Sequence, residues 1–341
     1  MALGPIMLGV KGLALQAEER DMLREPNVGG VILFARNYED TEQLRELVTS
    51  IHDLRQPRLL VAVDHEGGRV QRFRNGFTRI PAAQFFGAQY DQDRPRALRL
   101  ARAAGWVLAA ELRAVGVDFS FTPVLDLDRG LCSAIGDRAF HRDPDAVAAL
   151  AHSVVEGMKE AGMAATGKHF PGHGGVDVDT HHGVAIDRRG HADIEMADLV
   201  PFERLIRWGL AGIMPAHVVF MDVDTVPAGF SSIWLQTILR GRLGFQGLIF
   251  SDDLEMEGAG VAGDIVARGE AALGAGCDMV LVCNQTALMM QMIDGLRGYA
   301  DNPVAQLRRA RMHGRDGAIP NIRENEQWRQ YVAVLGDAST A

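Results

Sequence analysis

Residues 167–183 read GKHFPGHGGVDVDTHHG and gather histidines, aspartates and a lysine into one glycine-rich stretch. Asp179 and His181 lie two residues apart. In a locally extended chain that spacing puts both side chains on one side. A carboxylate beside an imidazole fixes its tautomer and stabilises the imidazolium, which makes a proton shuttle usable near neutral pH. So short a pattern also occurs in polar loops with exposed histidines, and the spacing alone leaves both readings open. A second group, Ser251-Asp252-Asp253, follows the apolar run LIF. A carboxylate there can attack an electrophilic carbon, or the two acids can cap a helix. Lys168 and His169 can grip hydroxyls, although a lysine so placed also suits a salt bridge to a neighbouring strand. Asp64 can accept hydrogen bonds from two hydroxyls or cap its loop. Arg72 and Arg138 can bind a carboxylate, phosphate or hydroxyl, or lie on the surface as most arginines do. His217 either walls a pocket or is a satisfied core histidine. Gly67 and Gly68 mark a turn needing unusual dihedrals. Cys277 and Cys283 flank an apolar run and read as packing residues.

These residues share a position relative to the apolar runs that precede them. The runs are 6–12, 28–34, 59–64, 117–125, 164–169, 211–217, 248–253 and 279–284. They are rich in Val, Ile, Leu and Phe with little alternation, which suits strands buried on both faces. Between them lie helical patterns. In 97–115 the residues Leu100, Ala104, Val107, Leu108, Leu112 and Val115 form a stripe, with Gly116 as a C-terminal stop. In 144–161, Asp143 caps the start, Pro144 takes the first helical position and Gly162 ends it. Strand-like runs alternating with helices predict a (β/α)8 TIM-type barrel in a single domain. A doubly wound open sheet is the rival, and the absence of GxGxxG after the first run weakens its dinucleotide-binding form. In a barrel, the C-terminal strand ends face the active site, and the reactive residues cluster there.

The chain of 341 residues carries 44 acidic and 35 basic side chains, a formal charge of −9, which argues against nucleic-acid and anionic-membrane partners. Three cysteines without CxxC spacing fit a reducing compartment rather than a disulfide scaffold. The opening MALGPIMLGVKG lacks a basic leader and runs into charged residues, unlike a signal peptide. No run of about 18 apolar residues occurs, so no membrane span is expected. The expectation is a cytoplasmic protein with a barrel over 1–300 and a polar, helical C-terminal appendage over 301–341.

DHEGGRVQRF (64–73), IGDRAF (135–140), KHFPGHG (168–174), DTH (179–181), MPAH (214–217) and FSDDLEM (250–256) occur in this order. This set resembles the β-N-acetylglucosaminidases of glycoside hydrolase family 3, in particular the single-barrel bacterial type of peptidoglycan recycling. The resemblance spans about residues 5–300. It departs from the family pattern at His65, where Gln is common, at Thr180, where Ser is common, and in the extra His182. The resemblance implies Asp252 as the nucleophile, His181 as the acid/base and Asp179 as its orienting partner. It implies Asp64, Arg72, Arg138, Lys168 and His169 as the sugar-binding set, with no cofactor and no metal. The implied reaction removes terminal β-linked N-acetylglucosamine with retention, from muropeptides carrying that sugar on anhydro-muramic acid. Most retaining glycosidases use two carboxyl groups, so a histidine acid is a departure from the general scheme.

Two other readings compete. His169, His173, His181, His182, His217 and Asp252 offer the ligand types of a zinc barrel hydrolase, but the first run carries no histidine pair. A sugar-binding module that has lost turnover would not need Asp252, Asp179 and His181 together. Gly172, Gly174, Gly175 and Gly183 make the 172–183 backbone cheap to reorder, and a loop that swings His181 over the sugar is the expectation there.

Overall fold

The computed structural model describes residues 3–176, 185–315 and 321–340. Eight parallel strands close into a barrel in sequential order. They are β1 (Ile6–Gly9), β2 (Val28–Leu33), β3 (Leu60–Val63), β4 (Phe119–Ser120), β5 (Ala164–Phe170), β6 (Gly212–Pro215), β7 (Leu248–Asp253) and β8 (Met279–Val282). The seam joins β1 to β8, with Ile6 opposite Val280 and Met7 opposite Leu281. Helices surround the strands, so both strand faces are covered, and the runs are apolar throughout for that reason. Phe119, Phe121 and Phe250 are fully buried and meet with ring centroids 5.0–5.4 Å apart.

The fourth run differs from its expected length. Ladder pairing is confined to Phe119–Ser120, because Pro123 has no N–H to donate. The chain still follows β5: Thr122 O and Pro123 O accept from Thr166 N and Lys168 N, and Val124 bridges Lys168. The sixth run also divides. β6 ends at Pro215, and Val218–Phe220 pairs instead with Ala185–Asp187 in a small parallel ribbon. After β3 the chain turns through an antiparallel ribbon, His65–Gly67 with Val70–Gln71. Gly67 and Gly68 both have positive φ there, and a Cβ on Gly67 would lie 2.6 Å from Pro81 O.

The two long helices sit as expected, α1 at Arg94–Ala114 and α2 at Pro144–Glu160. Asp143 accepts from Asp145 N at the start of α2, and Gly116 and Gly162 follow the helix ends with positive φ. The helices cross backbone to backbone at two glycines. A Cβ on Gly157 would lie 2.1 Å from Arg102 O, and one on Gly105 would lie 2.2 Å from Val154 O. Because the obstructing atoms are main chain, no rotamer change relieves them. Gly157→Val is expected to destabilise the protein by about 3 kcal/mol through overpacking, despite its better unfolded-state entropy. A thermal melt checks this: an unchanged Tm would mean that the helices can separate without cost.

The segment after β8 passes beneath the barrel. Arg308 and Arg309 of the helix α3 (Pro303–Ala310) bind Asp278 at the entry to β8, through Oδ1 at 3.0 Å and the carbonyl at 2.8 Å. Gly314 N then donates to Asp118 Oδ1 at the entry to β4 (3.0 Å). The last helix, α4 (Glu326–Thr340), docks on α1: Trp328 Nε1 donates to Glu111 Oε1 (2.8 Å), and Tyr331 meets Trp106 edge to face. Among the described residues, no helix is long and apolar enough to cross a membrane.

Candidate active site

A cavity of about 370 Å³ opens at the C-terminal ends of the strands. Asp64, Arg72, Arg138, Lys168, His169 and Asp252 all line it. That volume lies within the usual range for small-molecule sites, about 300–1,000 Å³. Six of the eight site residues expected from the sequence therefore meet in one cavity. The other two, Asp179 and His181, lie outside the described residues, as do His182 and most of the 172–183 loop.

Asp252 reaches the cavity at the end of β7. Phe250 faces other core rings. Regular alternation is broken at the strand's end: the register against β8 shifts between Phe250 and Asp253, and past this bulge Asp252 and Asp253 both line the cavity. No helix begins at Asp252 or Asp253, so the capping alternative does not apply. The Asp253 N–H donates to Asp252 Oδ1 (2.8 Å) and fixes the carboxylate's orientation. Burial alone would raise the Asp252 pKa. His169, His217, that N–H and Lys168 outweigh it and hold the pKa below the ordinary value. Asp252 is thus an anion at neutral pH, as an attacking carboxylate must be.

Lys168 sits on β5 and is buried, with its ammonium 2.7 Å from both Asp64 and Glu66. Burial opposes its charge, but Asp64 and Glu66 keep its pKa above the ordinary value. Lys168 therefore makes a salt bridge, though to acids that follow β3, two strands away, rather than to a neighbouring strand, and it also lines the cavity. Arg72 approaches Asp64 at 3.9 Å. Arg138 is no surface arginine: its side chain is 14% exposed and bonds Glu66 through both Nε and Nη2, each at 2.8 Å. Burial works against the guanidinium, but Glu66, with Asp64 and Asp126, raises its pKa well above the usual range. Arg69 holds the loop that carries Arg138, donating to Asp137 and to the carbonyls of Ser133 and Ala134.

His169 is held by Asp126, which is fully buried, with Nδ1 to Oδ2 at 2.7 Å. Burial would raise the Asp126 pKa, but His169 and His173 keep it lowered. Burial outweighs Asp126 in lowering the pKa of His169. The pair is therefore carboxylate and neutral imidazole. The carboxylate has no proton to give, so Nδ1 carries the hydrogen and Nε2 is an acceptor. The other oxygen, Asp126 Oδ1, accepts from His173 N (2.6 Å) and anchors the start of the glycine-rich loop.

Asp253 also lines the cavity. Burial, with repulsion from Glu255 and Asp252, pushes its pKa up to about 7 despite a hydrogen bond from Glu255 N. His217 is buried behind Asp252, donates from Nε2 to Asp253 O (3.1 Å) and stacks on Phe230. It resolves as a core histidine rather than a lining one. Cys277 and Cys283 are buried free thiols, and Cys283 forms part of the cavity wall. Among the described residues, no cluster of three or more His, Cys, Asp or Glu could hold a metal ion.

Sequence reasoning missed Glu66 and Arg69 and gave Asp126 no role. Glu66 was findable, since it stands two residues from Asp64 in a short extended segment and must share its side. Arg69 carried no signal, because its partners, Asp137 and the carbonyls of Ser133 and Ala134, are 64 to 68 residues away.

The model of the glycosyl hydrolase family 3 N-terminal domain matches residues 6–311. A β-hexosaminidase from Thioalkalivibrio sulfidiphilus is 59% identical over 98% of this chain and 96% of its own length. One from Nitrosospira multiformis is 56% identical over 95% and 93%. The crystal structure of NagZ from Neisseria gonorrhoeae in complex with N-trifluoroacetyl-D-glucosamine superposes with a TM-score of 0.94 at 45% identity, covering 99% of both chains. A matching domain model over nearly the whole barrel and relatives aligned end to end lead to one assignment: this chain belongs to glycosyl hydrolase family 3 and is a glycoside hydrolase.

Proposed function

We propose that the protein is a cytoplasmic, retaining exo-β-N-acetylglucosaminidase that needs no metal or other cofactor. Its substrates would be muropeptides bearing terminal N-acetylglucosamine on anhydro-muramic acid, released during peptidoglycan recycling. The observation that carries the reading is an ionised, oriented Asp252 on the wall of a cavity also lined by Asp64, Arg72, Arg138, Lys168 and His169. Relatives named β-hexosaminidase, and a close structural neighbour holding an N-acylated glucosamine, support the choice of sugar. The motif resemblance supports the recycling role.

In this reading Asp252 attacks the anomeric carbon as His181, supported by Asp179, gives a proton to the leaving oxygen. Water then loses a proton to His181 and releases the sugar from Asp252. Asp64, Arg72, Arg138, Lys168 and His169 hold the sugar. His169 suits a hydroxyl-accepting role and not that of the acid, because its neutral ring presents Nε2 without a proton to the cavity.

The test is hydrolysis of 4-nitrophenyl β-N-acetylglucosaminide with and without EDTA, with the anomer of the first product read by NMR. Turnover that survives chelation and gives the β-anomer first is expected. Loss of activity with EDTA and its return with zinc would favour the metallohydrolase instead. An α-anomer would rule out the covalent intermediate. Release of free N-acetylglucosamine from a disaccharide-anhydro-peptide tests the substrate class separately.

A further inference from the structure

Glu66 lies behind the cavity wall rather than on it, yet it binds two of the cations that line the cavity, Arg138 and Lys168. It receives two hydrogen bonds from Arg138, each at 2.8 Å, and an ion pair from Lys168 at 2.7 Å. Its side chain is 7% exposed. Burial would raise its pKa, but Arg138 and Lys168 drive it far below the usual carboxylate range, so it is an anion at any working pH. Lys168 is shared with Asp64 at the same distance and also stabilises the Asp252 anion.

We propose that Glu66 is a positioning residue that spares the nucleophile. It aims Arg138 and Lys168 and absorbs most of their positive charge, so that these cations grip the sugar rather than pair with Asp252. The proposal rests on the reading of Asp252 as nucleophile. Its physical basis is a competition. Lys168, which already lowers the Asp252 pKa, would lower it further if Glu66 did not share its charge, and with it the basicity and nucleophilic strength of Asp252. The groups facing Asp252 are His169 and Lys168 on β5, His217 beyond β6 and Asp253 on its own strand; Asp64, Arg72 and Arg138 line the same cavity. Among the described acids bonded to Lys168 or Arg138, Glu66 alone binds both.

Three variants separate charge from geometry, and the readout is the acid limb of the kcat/KM profile, which reports ionisation of the free enzyme. Glu66→Gln removes the charge and replaces one of the two acceptor oxygens with an NH2 donor. The acid limb should move to lower pH by about one unit, since a less compensated Lys168 stabilises the Asp252 anion. kcat/KM at its plateau should fall by about 10²-fold, as the hydroxyl-binding cations lose their aim. Glu66→Asp keeps the charge but is one methylene too short to hold both partners. It should lose kcat/KM while its acid limb stays in place. Lys168→Met, which leaves Glu66 intact, should move the limb the opposite way, to higher pH. That variant keeps the proposal testable if Glu66→Gln fails to fold. Asp253 titrates near 7, well above the limb in question.

An unmoved limb in Glu66→Gln or in Lys168→Met would overturn the proposal, as would equal shifts in Glu66→Gln and Glu66→Asp. Trapping with a slow fluorinated N-acetylglucosaminyl substrate and peptide mapping tests the underlying reading on its own. A label on Asp252 with unmoved limbs would reject the role of Glu66 alone, whereas a label elsewhere would reject the nucleophile assignment.

Discussion

Asp252→Asn should abolish turnover whatever the leaving group, with kcat falling by at least about 10⁴-fold. The substitution is nearly isosteric, and the amide oxygen can still accept from Asp253 N, so the strand end should keep its shape. The variant loses the negative charge that Lys168 and the Asp253 N–H stabilise, and an amide oxygen is too weak a nucleophile to make the bond to carbon. An alkyl glycoside and a dinitrophenyl glycoside should be equally dead, because both need that bond. The measurement is a progress curve with each substrate beside a thermal melt. Dinitrophenyl turnover within about tenfold of the parent enzyme would remove Asp252 from the role.

His181→Ala should behave differently, because a good leaving group needs little protonation. Loss on an alkyl or sugar aglycone should reach about 10²–10⁴-fold, the usual worth of a positioned acid. Loss on dinitrophenolate should be far smaller in the first step. Release of the sugar then becomes limiting, since water has lost its base. A burst of phenolate followed by slow turnover should appear, and azide should speed the slow phase by replacing activated water. Asp179→Asn should give a weaker version of the same pattern. Uniform slowing of all leaving groups without an azide effect would pass the role to His182 or to a carboxylate.

The barrel was legible because buried parallel strands must be apolar on both faces, as the runs ending in Asp64 and Asp252-Asp253 are, although 164–169 is built of small residues and Thr166. Asp252 was legible for the same reason, being the first charged residue after LIF on β7. The short β4 was not, since apolar content does not reveal that Pro123 withholds an N–H. Arg138 was ambiguous because its burial depends on Glu66, which reaches it from 72 residues away. The Asp126–His169 pair is likewise formed across 43 residues, between neighbouring strand ends. Local spacing finds D-x-H and cannot find a dyad assembled by closure of the barrel.

The path of the chain beneath the barrel bears on how the protein is made. Asp278 and Asp118 guard the entries to β8 and β4, on opposite sides of the barrel, and the segment from Arg308 to Gly314 binds both. Trp328 then reaches Glu111 on α1, which also accepts from Thr78 N and Oγ1 in the stretch following Asp64 and Arg72. A nascent chain paused near residue 300 would hold all eight strands, yet it would lack the clamp across the two halves and one of the ties on the stretch after β3. Vectorial synthesis therefore delivers the barrel before its fastener. Residues 308–328, made after all eight strands, set the moment at which the stretch behind the candidate site is tied down.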